Sequence, residues 1–476
     1  MSEPREQPFN PLHERYASAE MSALFSARHR YGTWRRIWIA LAESQAALGL
    51  PITEAQLEAL RAAQGSVDLE RVAQIELETR HDVVAHIRHY AEQTGDAGGI
   101  IHLGATSAFI TDNTDALIMR DALGLLESRL ASVAHELAAF ARTHRGTPCL
   151  AYTHFQPAQL TTIGKRACLW LQDFATDLEE VQYRIAKLKA RGVKGTTGTQ
   201  ASFLTLFQGD HEKVRALDAK VAAALDFESS WAVTGQTYPR KQDSQVLALL
   251  TGIAESCHKF GTDLRLLQGV GELSEPFGTG QVGSSAMAYK RNPIRAERLC
   301  GLSRRLLTDA LNGPLNVATQ WLERSLDDSS NRRLVLTDAF LVCDAVLSLA
   351  AGIAKGLVVH EGAVKARVDR ELPFMASETF LMEGALRGGD RQDLHERIRQ
   401  YSLESYEVTS QGGSNPLLDR IAADAAFRLD RAELESMLDP VAFTGRSAHQ
   451  VDDFLGEVVE PLLAGIERAD VSEPRV

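Results

Sequence analysis

A chain of 476 residues is too long for one small core and implies two or three domains. Its 44% hydrophobic and 24% charged residues are ordinary for a soluble protein, and a formal charge of −12 argues against nucleic-acid or anionic-membrane partners. Five scattered cysteines (Cys149, Cys168, Cys257, Cys300 and Cys343) contain no CxxC pair, which speaks against a disulfide framework or a zinc site.

The chain starts with a polar stretch, Met1 to Pro11, that has no signal-peptide core, so a cytosolic protein is expected. Helical patterns follow over Ser18–Leu48 and Thr53–Ala91. Within the second, His86 and His89 lie one turn apart, but no HExxH and no third ligand accompany them, so a metal site is rejected. Arg80-His81-Asp82 is a better candidate for substrate contact. The alternative is an ordinary charged helix start with Asp82 near its positive end.

Three segments then carry apolar residues at alternating spacings of four and three: Met119 to Phe140, Leu171 to Leu188 and Val246 to Leu267. That is the seam of long helices packed nearly parallel to their neighbours. Between the first two lies Thr153-His154-Phe155-Gln156-Pro157, where Pro157 stops a helix and holds His154 on a turn. A histidine there can exchange a proton near neutral pH, although most loop histidines are plain surface residues.

Two glycine-rich interruptions break the pattern. Gly192, Gly195 and Gly198 read as loop flexibility. Gly278 to Gly283 matches GxGxxG literally, but the residues before it do not read as a strand, so the dinucleotide fingerprint is a decoy. Gly283-Ser284-Ser285-Ala286-Met287-Ala288-Tyr289-Lys290-Arg291-Asn292-Pro293 has no apolar periodicity and reads as a polar loop suited to an anion, with Lys290, Arg291, Arg295 and Arg298 as local cations.

Two more helices are expected, around Leu299–Leu311 and Leu334–Leu357. The apolar run Leu341–Val359 contains Asp344 and Lys355 and reads as a buried helix rather than a membrane span. Strand-like alternation is scarce. The chain therefore reads as mainly α: an N-terminal helical domain (1–106), a central five-helix bundle (107–359) with a polar loop at 278–293, and a C-terminal helical domain (360–476). The long helices stay apolar around much of their circumference, which favours a homo-oligomer over a solitary bundle.

The 283–293 loop resembles the GSSxMPxKxNP signature of the fumarase/aspartase superfamily. Arg15-Tyr16-Ala17-Ser18, Arg80-His81-Asp82-Val83, His102 to Ser107 (HLGATS), Thr153 to Thr162 (THFQPAQLTT), Lys194 to Ser202 (KGTTGTQAS), Gly235 to Tyr238 (GQTY), Trp321 to Arg333 (WLERSLDDSSNRR) and Glu371 to Ala376 (ELPFMA) extend the likeness. Together they resemble the adenylosuccinate lyase family over about Arg15 to Leu462. The resemblance implies elimination of fumarate from adenylosuccinate, giving AMP, and from the succinyl-carboxamide imidazole ribotide (SAICAR), giving AICAR. It also implies a three-domain fumarase/aspartase-like fold, a homotetramer whose sites draw on three subunits, and neither cofactor nor metal.

By the same resemblance Ser284 is the general base, with Ser285 as the fallback, and His154 is the general acid. His81 and Lys290 join the catalytic set. Arg15, Tyr16, Arg324, Ser329 and Arg333 match the phosphate surroundings, and Arg80 and Asp82 a further substrate segment. Thr106, Ser107, Lys290 and Asn292 match the groups around the succinyl carboxylates, while Gln236 and Arg298 complete the pocket. Glu297 would orient His81 or Lys290, or form a plain helix ion pair. One departure is Ala288, where the family has proline, which implies a looser open loop. Two rival readings remain: a lyase acting on argininosuccinate, against which Arg324, Ser329 and Arg333 weigh, and a catalytically silent helical scaffold, against which His154 and Ser284 weigh.

Overall fold

In the computed structural model, which describes residues 9–278, 280–287 and 289–470, local cap chemistry divides the N-terminal part more finely than periodicity implies. The expected helix over Ser18–Leu48 is two, Ala19–Leu24 and α1 (Ala27–Ala47). Ser18 and Ser26 cap them, accepting from the N–H groups of Met21 and His29. The expected helix over Thr53–Ala91 is three: Glu54–Ala63, Leu69–Thr79 and α2 (Asp82–Thr94). The Asp68 carboxylate caps the second, left-handed Arg80 (φ 51°) ends it, and the His81 ring caps the third. Apolar spacing runs straight through these breaks, so only the caps betray them.

Five long helices form the centre: α3 (Ser107–Thr143), α4 (Ile163–Lys187), α5 (Lys241–Gly269), α6 (Ile294–Asp309) and α7 (Asp327–Lys355). The α4–α5 pair runs antiparallel, since Trp170 donates to Asp263 (2.8 Å) near one end and Arg184 donates to Gln245 (2.8 Å) near the other, whereas α3 and α7 run parallel, with Asp115 paired to Arg332 and Arg129 to Asp344. The heptad residues of α3 and α5, among them Leu126, Leu130, Leu137, Leu250, Cys257 and Phe260, have no solvent exposure. Each such side chain contributes roughly 1.5–3 kcal/mol of burial. By length and composition α7 could cross a bilayer, yet most of its apolar stretch is buried inside the protein. The buried acid within that apolar stretch, Asp344, pairs with Arg129 (3.1 Å) and accepts from the Ser18 N–H (2.7 Å).

Residues expected to be non-strand form two short sheets among the described residues. An antiparallel hairpin, β1 (Pro148–Thr153) and β2 (Gln156–Thr162), joins α3 to α4. Pro157 sits opposite Tyr152 where the register is irregular, so its missing N–H disturbs the ladder little. Short β3 (Leu273–Ser274) pairs with β4 (Val358–Val359) just ahead of the GxGxxG match, but no helix follows until Ile294. One hydrophobic cluster runs without interruption from Met21 through the bundle. A second, including Phe380, Leu394, Ile421 and Phe427, lies wholly in the C-terminal part, after α8 (Glu361–Met375).

Candidate functional site

The candidate residues fall at two ends of the bundle. At the end where α3 begins, the His81 Nδ1 accepts from the Val84 N–H (3.4 Å) as the cap of α2. In the neutral ring this leaves the proton on Nε2, which faces the Ser107 hydroxyl at 3.4 Å. Asp82 pairs with Arg333 (2.9 Å) and lies 3.5 Å from the His81 ring. Thr106 contributes no side-chain cap, so the first N–H groups of the 37-residue α3 keep their positive potential for an anion beside Ser107. Arg80 is exposed at the left-handed junction before His81. A cavity of about 330 Å³ opens here, lined by Arg30, Tyr31, Trp34, Asp82, Ser329 and Arg333 among others.

Beneath the cavity lies a buried ion network that sequence reasoning missed. The Arg240 guanidinium binds both oxygens of Asp112 (3.2 Å) and reaches Asp328 (2.6 Å), which also holds Arg324 (2.6 Å). Arg332 pairs with Asp243 (2.6 Å) and Asp115 (3.0 Å), and it donates to the Tyr238 hydroxyl (2.7 Å). Burial alone would raise the Asp328 carboxyl, but Arg240 and Arg324 hold it below the usual carboxylate range. The signals in the sequence were Asp112 and Asp115 on the largely apolar start of α3, since Asp328 and Arg332 lie in a polar run, Asp327 to Arg333, where a buried pair does not stand out.

Gln236 is fixed through its backbone, donating to the Glu323 carbonyl (2.9 Å) and accepting from Arg191 (2.8 Å). The glycines at 192, 195 and 198 are not flexible hinges: each has φ near +80°, and Gly198 packs so tightly on the Thr234 carbonyl that no Cβ fits. Arg15 and Tyr16 sit on a wide turn, Leu12–Tyr16, that packs against α7, with Ser18 anchored at Asp344. Ser18 thus lies roughly 16 Å along α7 from Arg333, at 1.5 Å per residue, with Tyr16 and Arg15 two and three residues before it. Of the paired histidines, His89 accepts the Asp68 N–H (3.1 Å), and His86 stacks 3.9 Å from the Tyr31 ring, where burial pushes it down to about 4. His102, the first residue of the HLGATS segment, accepts from Trp38 (2.9 Å) and is likewise pushed down to about 4 by burial and by nearby His81.

At the opposite end, His154 occupies the tip of the β1–β2 hairpin rather than a loop before a helix. His154 and Phe155 both take left-handed backbone angles (φ 54° and 57°), the geometry of a tight two-residue turn that non-glycine residues adopt at a cost. The polar loop shares this end. The Ser284 hydroxyl oxygen accepts from the N–H groups of Ala286 (3.3 Å) and Met287 (3.2 Å) and is half-buried, whereas Ser285 is exposed. Asn292 donates to the Gly283 carbonyl (2.8 Å), and Gly283 abuts the Lys290 carbonyl, so the loop closes on itself with Lys290 exposed. The Glu275 carboxylate accepts from the N–H groups of Arg295 (3.0 Å) and Ala296 (2.8 Å) at the start of α6. Burial raises its pKa against the pull of these N–H groups and of Arg295 and Arg298. Ala288 lies outside the described residues.

The two ends are separated by the length of α3, roughly 55 Å at 1.5 Å per residue. A hairpin folded back along the bundle would shorten that by only about 20 Å. One chain therefore cannot bring His154 to His81 and Ser107, nor Glu297 to His81.

A family model described as Lyase matches residues 14–307, and one described as Adenylosuccinate lyase C-terminus matches residues 373–454. The chain is 46% identical over 462 residues to a protein of Saccharomyces cerevisiae named adenylosuccinate lyase, covering 96% of both. It belongs to the adenylosuccinate lyase family. A Schistosoma mansoni protein of the same name is 45% identical over 95% of each chain. Among solved structures, a fumarate lyase of Mesorhizobium sp. BNC1 superposes with a TM-score of 0.80 at 23% identity, over 94% of this chain and all of that one. A 3-carboxy-cis,cis-muconate lactonizing enzyme of Pseudomonas putida gives 0.83 at 24%, over 96% of this chain and all of that one. These two likenesses show the fold, the mainly α fumarase/aspartase-like architecture expected from the sequence. As a member of the adenylosuccinate lyase family the chain is a lyase.

Proposed function

We propose that this lyase removes fumarate from adenylosuccinate, giving AMP, and from SAICAR, giving AICAR, in purine nucleotide synthesis in the cytosol. The reading rests on the full-length likeness to adenylosuccinate lyases, with the C-terminal family segment included. In the mechanism, Ser284 takes a proton from the carbon beside a succinyl carboxylate and His154 protonates the departing nitrogen. Serine is a poor base in water. The observation that favours Ser284 over Ser285 is the pair of N–H groups already aimed at its oxygen, which would stabilise an alkoxide. The negative charge that builds on the succinyl carboxylate meets the α3 N-terminus at Thr106 and Ser107, with Lys290 and Asn292 from the loop. His81, held by its cap and by Asp82, faces the same carboxylate region. Arg15, Tyr16, Arg324, Ser329 and Arg333 hold the phosphate, Arg324 and Arg333 being steadied by Asp328 and Asp82. Arg80, Gln236 and Arg298 border the pocket.

Because these groups lie at opposite ends of one chain, the working form is a homotetramer with shared sites. Domains at 1–106, 107–359 and 360–476, with the loop at 278–293, fit this arrangement. The direct test mixes purified protein with adenylosuccinate and follows the ultraviolet spectrum as the succinyl group leaves. AMP and fumarate are expected. A folded, assembled protein that leaves adenylosuccinate and SAICAR unchanged would overturn the reading. His154→Ala and Ser284→Ala should each abolish turnover with the oligomer intact, while Ser285→Ala should retain most of it. A fully active Ser284→Ala protein would remove Ser284 from the base role.

A further inference from the structure

Glu272 is 1% exposed and sits between three parts of the chain that no catalytic assignment connects. It follows α5 directly, at the root of the polar loop. Its carboxylate accepts from the Tyr152 hydroxyl, from Arg367 of α8 (3.0 Å) and from Arg166 of α4 (3.5 Å). Arg367 also donates to the Tyr152 hydroxyl oxygen (3.3 Å), and Arg166 donates to the Leu150 carbonyl on β1. Both guanidinium groups lie over the Tyr152 ring, at 5.7 and 6.0 Å from its centre. The Tyr152 ring in turn meets the Phe155 ring at 5.5 Å, across the turn that carries His154.

The turn needs such an anchor. Two successive non-glycine residues with positive φ cost about 1–2 kcal/mol each, so a free hairpin tip would relax to other conformations. The tip residues Thr153, His154, Phe155 and Gln156 are all exposed, and Phe155 meets the rest of the chain through its ring contact with Tyr152. Tyr152 is tied at its hydroxyl to a buried carboxylate and at its ring to Phe155, so it transmits the fixed position of Glu272 to the tip. Burial, with Glu272 alongside, pushes the Tyr152 phenol up to about 12, so it stays a neutral donor throughout the working pH range.

We propose that Tyr152, Glu272 and Arg367 form a positioning unit that holds the His154 turn in its reactive geometry and ties it to the root of the polar loop and to the C-terminal helices. The inference rests on His154 acting as the general acid. Tyr152→Phe keeps the ring and its contact with Phe155, leaves Glu272 paired with two arginines, and should fold. Its kcat should fall about tenfold or more with KM within twofold, because a small misplacement of a catalytic group acts on the chemical step. Oligomer and thermal midpoint should match wild type. Arg367→Ala should show the same split between kcat and KM, and Arg367→Lys should restore part of the loss. Wild-type kcat in Tyr152→Phe, or a fall in kcat that only tracks a fall in thermal midpoint, would overturn the positioning role. Failure of the functional reading is distinct: there the wild-type protein itself would not turn over adenylosuccinate.

Discussion

Asp177 is a buried acid of the bundle whose charge depends on pH near neutrality. It lies on α4 at 8% exposure, and its Oδ2 has no hydrogen-bond partner among the described residues. Burial pushes its carboxyl up to about 7 against the pull of the Ser256 hydroxyl, with Asp173, Glu255 and Glu180 adding to the rise. An acid whose folded pKa is raised binds its proton more tightly in the native state, so stability falls as pH rises from about 4 to about 7 and then levels off. Asp177→Asn should therefore be more stable than wild type at pH 8, by on the order of a few kcal/mol. The gap should close on acidification toward pH 4, as read by urea unfolding at several pH values. A gap independent of pH would contradict the assignment. His86 has the opposite sign: kept neutral by burial, it contributes stability above about 6.5 that is lost as pH falls toward 4.

Single residues were also where the sequence was most and least readable. Ser284 stood out because a run of small and polar residues cannot pack as a helix. Which of two adjacent hydroxyls meets the N–H groups of Ala286 and Met287 depends on backbone dihedrals, and no residue pattern reports those. The Tyr152–Glu272–Arg367 contact joins residues more than 90 positions apart, beyond the reach of any spacing rule.

Among elements, the bundle helices were legible because each buries a continuous apolar stripe. The hairpin was not. The first four residues of β2, Gln156-Pro157-Ala158-Gln159, are exposed and include a proline, so they lack the alternation that marks a half-buried strand. The ends of α3, α5 and α7 are joined by the Arg240 network, whose members look in sequence like ordinary helix charges. Arg240→Leu would leave Asp112 and Asp328 buried with part of their compensation gone. It should cost about 3–5 kcal/mol in chemical denaturation. A loss below about 1 kcal/mol would mean that Arg324 and Arg332 suffice for both carboxylates. Gly198→Ala should also destabilise, since it needs both a left-handed φ and a Cβ where the Thr234 carbonyl lies.

For the whole molecule, the decisive fact is the length of α3. It holds Thr106 and Ser107, with His81 beside them, at one end and leads to the His154 hairpin at the other. Large apolar side chains stay exposed on the single chain, including Leu311, Leu315, Trp321, Leu326 and Leu334, and give the assembly surface to bury. The most direct test of this account mixes two inactive variants, His81→Ala and His154→Ala, under conditions that let subunits exchange. If sites are shared, hybrid oligomers contain some sites with both histidines intact, and turnover of adenylosuccinate should return although neither parent has it. Hybrids that form, as shown by mass with one variant isotopically labelled, yet remain inactive would contradict a site built from more than one subunit.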